Sequence, residues 1–242
     1  MNLRQWVHCD TWTMLLTLAD LLREKHPQPT AFRDLWAQAL THAKSYADDF
    51  HPVYSQMAAV RMFEQRYDSR NSFVHYANSA AIRLANIYAR HYVYCNRGVN
   101  GIEGSLSTAA GFSLVAKNPV FIVIGDLSFF YDSNALWNKE LKGNFRILLL
   151  NNGGGGIFRQ LPVGDGRSSA LDYVMGSHHT SAEGICKSFG VEYLGARNEV
   201  EMEEGIQLLL QKESSRPLLL EVFTDAETDT QVLKDYYRSL SI

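Results

Sequence analysis

The fold is decided by Val120-Phe121-Ile122-Val123-Ile124-Gly125-Asp126-Leu127-Ser128, read together with Phe145-Arg146-Ile147-Leu148-Leu149-Leu150-Asn151-Asn152-Gly153-Gly154-Gly155-Gly156. Each polar or glycine-rich island follows a short apolar run rich in β-branched residues. Such runs, apolar rather than alternating, read as buried strands of a parallel sheet. Ser128 to Gly143 lies between them and is long enough for a crossover helix. The unit is therefore βαβ, its strands point the same way, and Asp126 and Asn152 leave the same C-terminal edge of the sheet. Open α/β sheets bind ligands at that edge. A carboxylate, an amide oxygen and backbone carbonyls are hard donors suited to Mg²⁺, which is commonly completed by a ligand's phosphates. Each island also has a plainer reading: Asp126 as a helix cap and Asn-Gly as a turn. Together, on one edge, they favour a metal–diphosphate site.

Working outward, residues 1–70 show helical spacing and no glycine-rich turn. Leu15, Leu16, Leu18, Leu21 and Leu22 form one helix, Phe32 to Tyr46 a second and Val53 to Tyr67 a third, so this part reads as a helical lead-in. From residue 71 the pattern alternates between strand and helix. Strands are expected at Phe73–Tyr76, Tyr92–Tyr94, Val120–Ile124, Phe145–Leu150, Glu192–Leu194 and Leu218–Phe223. The helices are expected at Ala80–Arg90, Ser105–Ala116, Ser181–Phe189, Val200–Gln211 and Thr230–Leu240. The fold class is thus α/β, a doubly wound, mostly parallel sheet of about six strands. Pro162 to Ser177 is the long irregular stretch; Tyr173 within it is the residue expected to close over a substrate.

Two further islands belong to the working edge. Ser79 opens the helix after the first strand, and Arg83 shares its face at i+4; a helix N-terminus with such a face can hold an anion, although Ser79 is also a natural N-cap. Asn96-Arg97-Gly98-Val99-Asn100-Gly101-Ile102-Glu103-Gly104 follows the next strand. Its glycines permit close ligand approach. Ile102 stands alone among polar neighbours, a place for something flat to pack. Arg83 and Arg97 in one cleft would suit a carboxylate substrate. His178 and His179 are adjacent, diverge in an extended loop and do not suggest a shared metal.

The net charge of −3 offers no footprint for nucleic acid or an anionic membrane. Cys9, Cys95 and Cys186 form no Cys-x-x-Cys pair, which fits a reducing, cytoplasmic setting. The apolar run Met14 to Leu22 is too short to span a bilayer.

Asn78-Ser79-x-x-x-Arg83, the Asn96–Ala109 loop, Gly125-Asp126-Leu127-Ser128, and Asn151-Asn152 with Ile157-Phe158-x-x-Leu161-Pro162 together resemble the C-terminal part of the SEPHCHC synthases. These are thiamine-diphosphate enzymes of menaquinone biosynthesis that decarboxylate 2-oxoglutarate and add the succinyl carbanion to isochorismate. The resemblance covers residues 72 to 242. It implies a diphosphate-binding domain over residues 71–242, preceded by a connector and the end of a truncated central domain over 1–70. It further implies Asp126, Asn152 and the Gly154 carbonyl as ligands of Mg²⁺ or Mn²⁺. Gly125, Leu127 and Ser128 would hold the diphosphate, and Ile102 would prop the bent cofactor. Ser79, Arg83 and Arg97 would face the substrate, with Phe158 and Leu161 as apolar wall, and Ser79, Ile157 and Phe158 would also touch the cofactor. Gly153 and Gly156 depart from the family pattern, and the spacer before Asn152 is about one residue short.

The resemblance also implies a homo-oligomer, a dimer or tetramer, and an activating glutamate in an N-terminal domain that this chain lacks, so no catalytic residue is assigned here. On that basis the chain alone is expected to be inactive. Another 2-oxoacid decarboxylase or acetolactate-type synthase, or a non-catalytic cofactor-binding module, are the alternatives.

Overall fold

The computed structural model describes residues 6–25, 30–98, 101–156, 158, 169–211 and 213–240. It divides into two compact units, 1–45 with 242, and 46–241. The first contains α1 (Thr11–Lys25) and the start of α2 (Ala31–Asp49). Asp10 opens α1 by accepting the Thr13 N–H at 2.9 Å, as an N-cap does. Trp12, Leu15, Leu16, Leu18, Leu21 and Leu22 of α1 are exposed.

The second unit is built on β1 (Phe73–Tyr76), β2 (Val120–Gly125), β3 (Phe145–Asn151), β4 (Glu192–Ala196) and β5 (Leu218–Phe223). All neighbours are parallel and the order is β1-β2-β3-β5-β4. The sheet is thus the expected parallel α/β sheet, with one strand fewer. Tyr92–Tyr94 contributes a single bridge, His75 to Tyr94, because the chain turns at once into the Asn96 loop and leaves Tyr92 in solvent.

Alternate residues of each strand enter two cores, the period-two rule of a strand buried on both faces. Val74, Phe121, Val123, Leu148, Leu150 and Leu220 pack under α3 (Gln56–Arg66), α4 (Ala80–Tyr88), α9 (Glu199–Gln211) and α10 (Ala226–Ser239). Ile122, Ile124, Ile147, Leu149 and Leu219 pack on the other face, under α5 (Ser105–Val115) and α8 (Glu183–Phe189). Each fully buried Ile or Leu contributes about 2–3 kcal/mol. Met57, Ala59, Val60 and Phe63 of α3 lie in the first core, so the compact unit begins at Tyr46, ahead of the change of pattern at residue 71.

Two local expectations change. The crossover between β2 and β3 is not one helix: α6 (Asp126–Tyr131) breaks at Asp132 and a 3₁₀ turn, Ser133–Trp137, follows. Asp132 draws the chain aside there by accepting the Ser107 N–H at 2.7 Å from the start of α5. Within Pro162–Ser177, residues 169–175 form α7 (Ser169–Met175), while 162–168 lie outside the described residues. Among the described residues no helix is long and apolar enough to cross a membrane.

Candidate functional site

The C-terminal ends of β1, β2 and β3 open into a cavity of about 210 Å³. Ser79 and Arg83 line it from α4, Ile102 from the loop before α5, and Gly125, Asp126, Leu127 and Ser128 from the β2–α6 turn. Asn152, Gly154 and Phe158 reach it from the turn after β3. The structure therefore brings four separate islands to one place. Ile157 and Leu161 fall outside the described residues. Arg97 does not line the cavity: its Nη1 donates to Asn78 Oδ1 at 3.1 Å. Tyr173 is exposed on α7 and is likewise absent from the lining.

Asp126 is buried at the first position of α6, with Gly125 as the N-cap residue. Its Oδ1 accepts the Leu127 N–H at 2.7 Å, so it does serve its own helix turn; its Oδ2 accepts the Gly154 N–H at 2.9 Å. That second bond joins the two islands directly. Burial pushes the Asp126 carboxyl above the ordinary carboxylate range, against the opposing pull of those N–H donors. His178 Nδ1 accepts the Thr180 N–H at 3.1 Å, and its Nε2 lies 3.4 Å from Asp126 Oδ2. That contact does not amount to a hydrogen bond, and Nε2 is buried without a hydrogen-bond partner among the described residues. His179 is exposed.

The glycine turn is pinned by main chain. Gly155 N–H donates to Met175 O at 2.7 Å and His178 N–H donates to Gly153 O at 2.9 Å. A Cβ at Gly153 would lie 2.8 Å from His178 O, and one at Gly154 2.9 Å from Met175 O; both residues also have positive φ, +78° and +147°. Gly153 and Gly154 are therefore required by the backbone of residues 175–178 lying against them.

The two asparagines divide their work. Asn151 is buried: its Nδ2 donates to Glu221 Oε1 at 2.7 Å and to Thr180 O, and its Oδ1 accepts the Gly153 N–H. Asn152 Nδ2 donates to Asp229 Oδ2 at 3.0 Å, and among the described residues no donor reaches its Oδ1. Asp229, in the first turn of α10, also accepts from Gln56 N–H at 2.8 Å and Thr224 Oγ1 at 2.8 Å. Its carboxyl too is raised by burial.

Ser79 is the sole non-glycine residue with positive φ among those described, φ 74° and ψ −126°, and its side chain makes no capping bond. The N-cap reading fails there; the hydroxyl is held at the cavity in a backbone state that costs about 1–3 kcal/mol. Arg83 makes no ion pair among the described residues. Asn78 staples the loop of Ile102 by donating to Asn96 O and Gly101 O at 2.7 and 2.5 Å. The Ser128 hydroxyl donates to Ile102 O, so its proton is spent on fastening that loop and is not free for a phosphate.

The cavity wall thus carries two desolvated carboxylates, an uncommitted amide oxygen and a main-chain turn. Among the described residues no cluster of three His, Cys, Asp or Glu side chains could chelate a metal. A cation here would take the mixed oxygen set of Asp126, Asn152 and a Gly154 carbonyl, as Mg²⁺ does when a ligand's phosphates complete it. At Gly125 a Cβ would meet no protein atom within 4 Å, so its missing side chain leaves room on the cavity side. These features fit a diphosphate carried on a divalent ion.

Asp229, Gln56, Thr230 and Leu233 complete the wall and were not identifiable from sequence. An acidic residue in a first helical turn is ordinarily explained by the helix dipole. Only the placing of β5 beside β3, with Asn151 opposite Phe223, carries Thr224 and Asp229 to Asn152.

The profile of the family described as "Thiamine pyrophosphate enzyme, C-terminal TPP binding domain" matches residues 76–222. A protein of Phocaeicola vulgatus named 2-succinyl-5-enolpyruvyl-6-hydroxy-3-cyclohexene-1-carboxylate synthase is 47% identical over 171 residues, covering 69% of this chain and 31% of the relative. One of the same name from Bacteroides fragilis is 44% identical over 191 residues, 77% of this chain and 34% of the relative. The chain thus spans about a third of the length of these relatives. The benzoylformate decarboxylase of Polynucleobacter necessarius shares the fold, with a TM-score of 0.57 at 15% identity over 71% of this chain and 33% of that one. With the matched region running from the end of β1 into β5 and including the turns after β2 and β3, the chain belongs to the thiamine pyrophosphate enzymes, as their C-terminal TPP-binding domain.

Proposed function

We propose that residues 71–242 hold the diphosphate end and the Mg²⁺ (or Mn²⁺) of thiamine diphosphate within a SEPHCHC synthase. That enzyme decarboxylates 2-oxoglutarate and adds the succinyl unit to isochorismate, in cytoplasmic menaquinone biosynthesis. The observation that carries the cofactor reading is the approach of Asp126 and the glycine turn, joined by the Gly154 N–H bond, with the Asn152 oxygen uncommitted beside them. The likeness to relatives of that name supports the substrates.

In this reading Asp126, Asn152 Oδ1 and the Gly154 carbonyl hold the ion. Gly125 and the main chain of Leu127 and Ser128 leave space for the diphosphate, and Ile102, braced by Ser128, supports the cofactor's apolar part. Bound there, thiamine diphosphate supplies the carbanion-stabilising chemistry. Arg83 and the Ser79 hydroxyl face the carboxylates of the substrates; Arg97, fastened to Asn78, flanks them. Phe158, with Leu161, keeps water from the reacting carbons, and Ile157 touches the cofactor. Residues 1–45 lead in from a preceding domain, α3 belongs to the cofactor-holding unit, and a homo-oligomer completes the site.

Calorimetric titration of the chain with thiamine diphosphate should give heat with Mg²⁺ present and none in a chelator; no Mg²⁺-dependent binding overturns the cofactor reading. A longer protein containing this chain should decarboxylate 2-oxoglutarate in preference to pyruvate, and the reverse preference overturns the substrate reading.

A further inference from the structure

We infer that Asp229 is a positioning residue for the metal site: it sets the carboxamide of Asn152 so that the oxygen, not the NH₂, faces the cavity. This rests on the metal-holding role proposed for Asn152. An asparagine offers one acceptor end and one donor end of nearly the same shape, and only the acceptor end can ligate a cation. Nothing in Asn152 itself chooses between them. The choice is made by Asp229, whose two oxygens receive three donors: Gln56 N–H at 2.8 Å, the Thr224 hydroxyl at 2.8 Å and Asn152 Nδ2 at 3.0 Å. Gln56 N–H is a main-chain donor that cannot reverse, so it holds the carboxylate against the start of α3. A flipped Asn152 would set its oxygen against Asp229 Oδ2 and its NH₂ toward the cation, losing at both ends.

Outer partners that orient a metal ligand typically change metal affinity by about 10- to 100-fold. Asp229→Asn keeps the shape but replaces one acceptor by a donor. Because Gln56 N–H claims the remaining oxygen, the new NH₂ confronts that of Asn152 and turns it over. The affinity of the chain for thiamine diphosphate at fixed Mg²⁺, read by calorimetry, should fall about 10- to 100-fold. The double variant Asn152→Asp/Asp229→Asn exchanges the two groups and restores one donor facing one acceptor, with an oxygen again toward the cavity. It should recover most of the binding, which a purely structural role for Asp229 would not produce.

A second readout needs no cofactor. The side-chain NH₂ of Asn152, assigned by its loss in Asn152→Asp, should exchange slowly with solvent in the unsubstituted chain and fast in Asp229→Asn. Unchanged exchange, or a double variant as weak as Asp229→Asn in a chain that binds, overturns the inference. Absence of Mg²⁺-dependent binding in the unsubstituted chain instead overturns the cofactor reading, and the exchange measurement then decides the role of Asp229 alone.

Discussion

Two carboxylate hubs flank the end of β3, each fed by one asparagine of the Asn151–Asn152 pair. Glu221, fully buried in the centre of β5, accepts from Asn151 Nδ2, Ser181 Oγ and Tyr193 Oη, each at 2.7 Å, and from Ala182 N–H at 3.1 Å. Asp229 accepts from Asn152, Thr224 and Gln56. In the first hub the asparagine oxygen is also consumed, by Gly153 N–H at 3.1 Å; in the second it is left over. The same pairing closes a core on one side and aims an unused acceptor on the other. Neighbouring residues with the same side chain thus differ in that one oxygen is committed and the other is open.

The largest test of that division is Glu221→Ala. It strands several buried donors and should cost about 3–5 kcal/mol of unfolding free energy in a denaturant titration. A loss below about 1 kcal/mol would break the distinction between sealed and open hubs.

Next in size is the pH dependence of another sealed group, His75. It is buried on β1 with no partner for Nε2, and burial alone lowers its pKa from 6.5 to about 4. The unfolded chain takes up the proton below about pH 6.5 and the folded chain only near 4. Stability should therefore fall by about 3 kcal/mol as the pH drops across that window. His75→Leu should flatten this part of the profile, and an unchanged slope would place the effect elsewhere.

On the open side, Gly154→Ala should cost about 1–3 kcal/mol, since its φ of +147° and the Met175 carbonyl both oppose a Cβ. A melting temperature lower by several degrees is the readout, about 2–4 °C per kcal/mol at this size. The smallest effect has the opposite sign. Ser79→Gly relieves the positive φ, less the added freedom of the unfolded chain, and should raise stability by about 1 kcal/mol while removing the hydroxyl from the cavity. A destabilised Ser79→Gly would show that the strain there is absent.

The sheet was legible where local pattern and burial agree. β1 and β5 run as read, and β2 and β3 each extend one residue further, to Gly125 and Asn151. Asp126 and Asn152 followed from the direction of those two strands. What escaped depends on contacts distant in sequence. Tyr92–Tyr94 has strand-like residues but only one partner position at the sheet edge. The crossover after β2 breaks at Asp132 because Ser107, far away in the chain, engages its carboxylate. Arg97 looked like a partner for Arg83 until Asn78 proved to hold it. Asp229 could be found only with the strand order known, since no local pattern separates an acidic residue aiming an amide from one complementing a helix dipole.

The bond from Asn152 to Asp229 joins positions 77 residues apart, and that separation sets an order of assembly. All five strands precede Asp229 in the chain, so the sheet can form before α10 docks and closes the first core with Val232 and Tyr236. Pairing of β5 with β3 closes that loop first, setting Asn151 opposite Phe223, and the contact then waits only for α10 to seat. The amide beside the cavity is thus set last, and a chain caught before α10 has docked has the architecture without the aim.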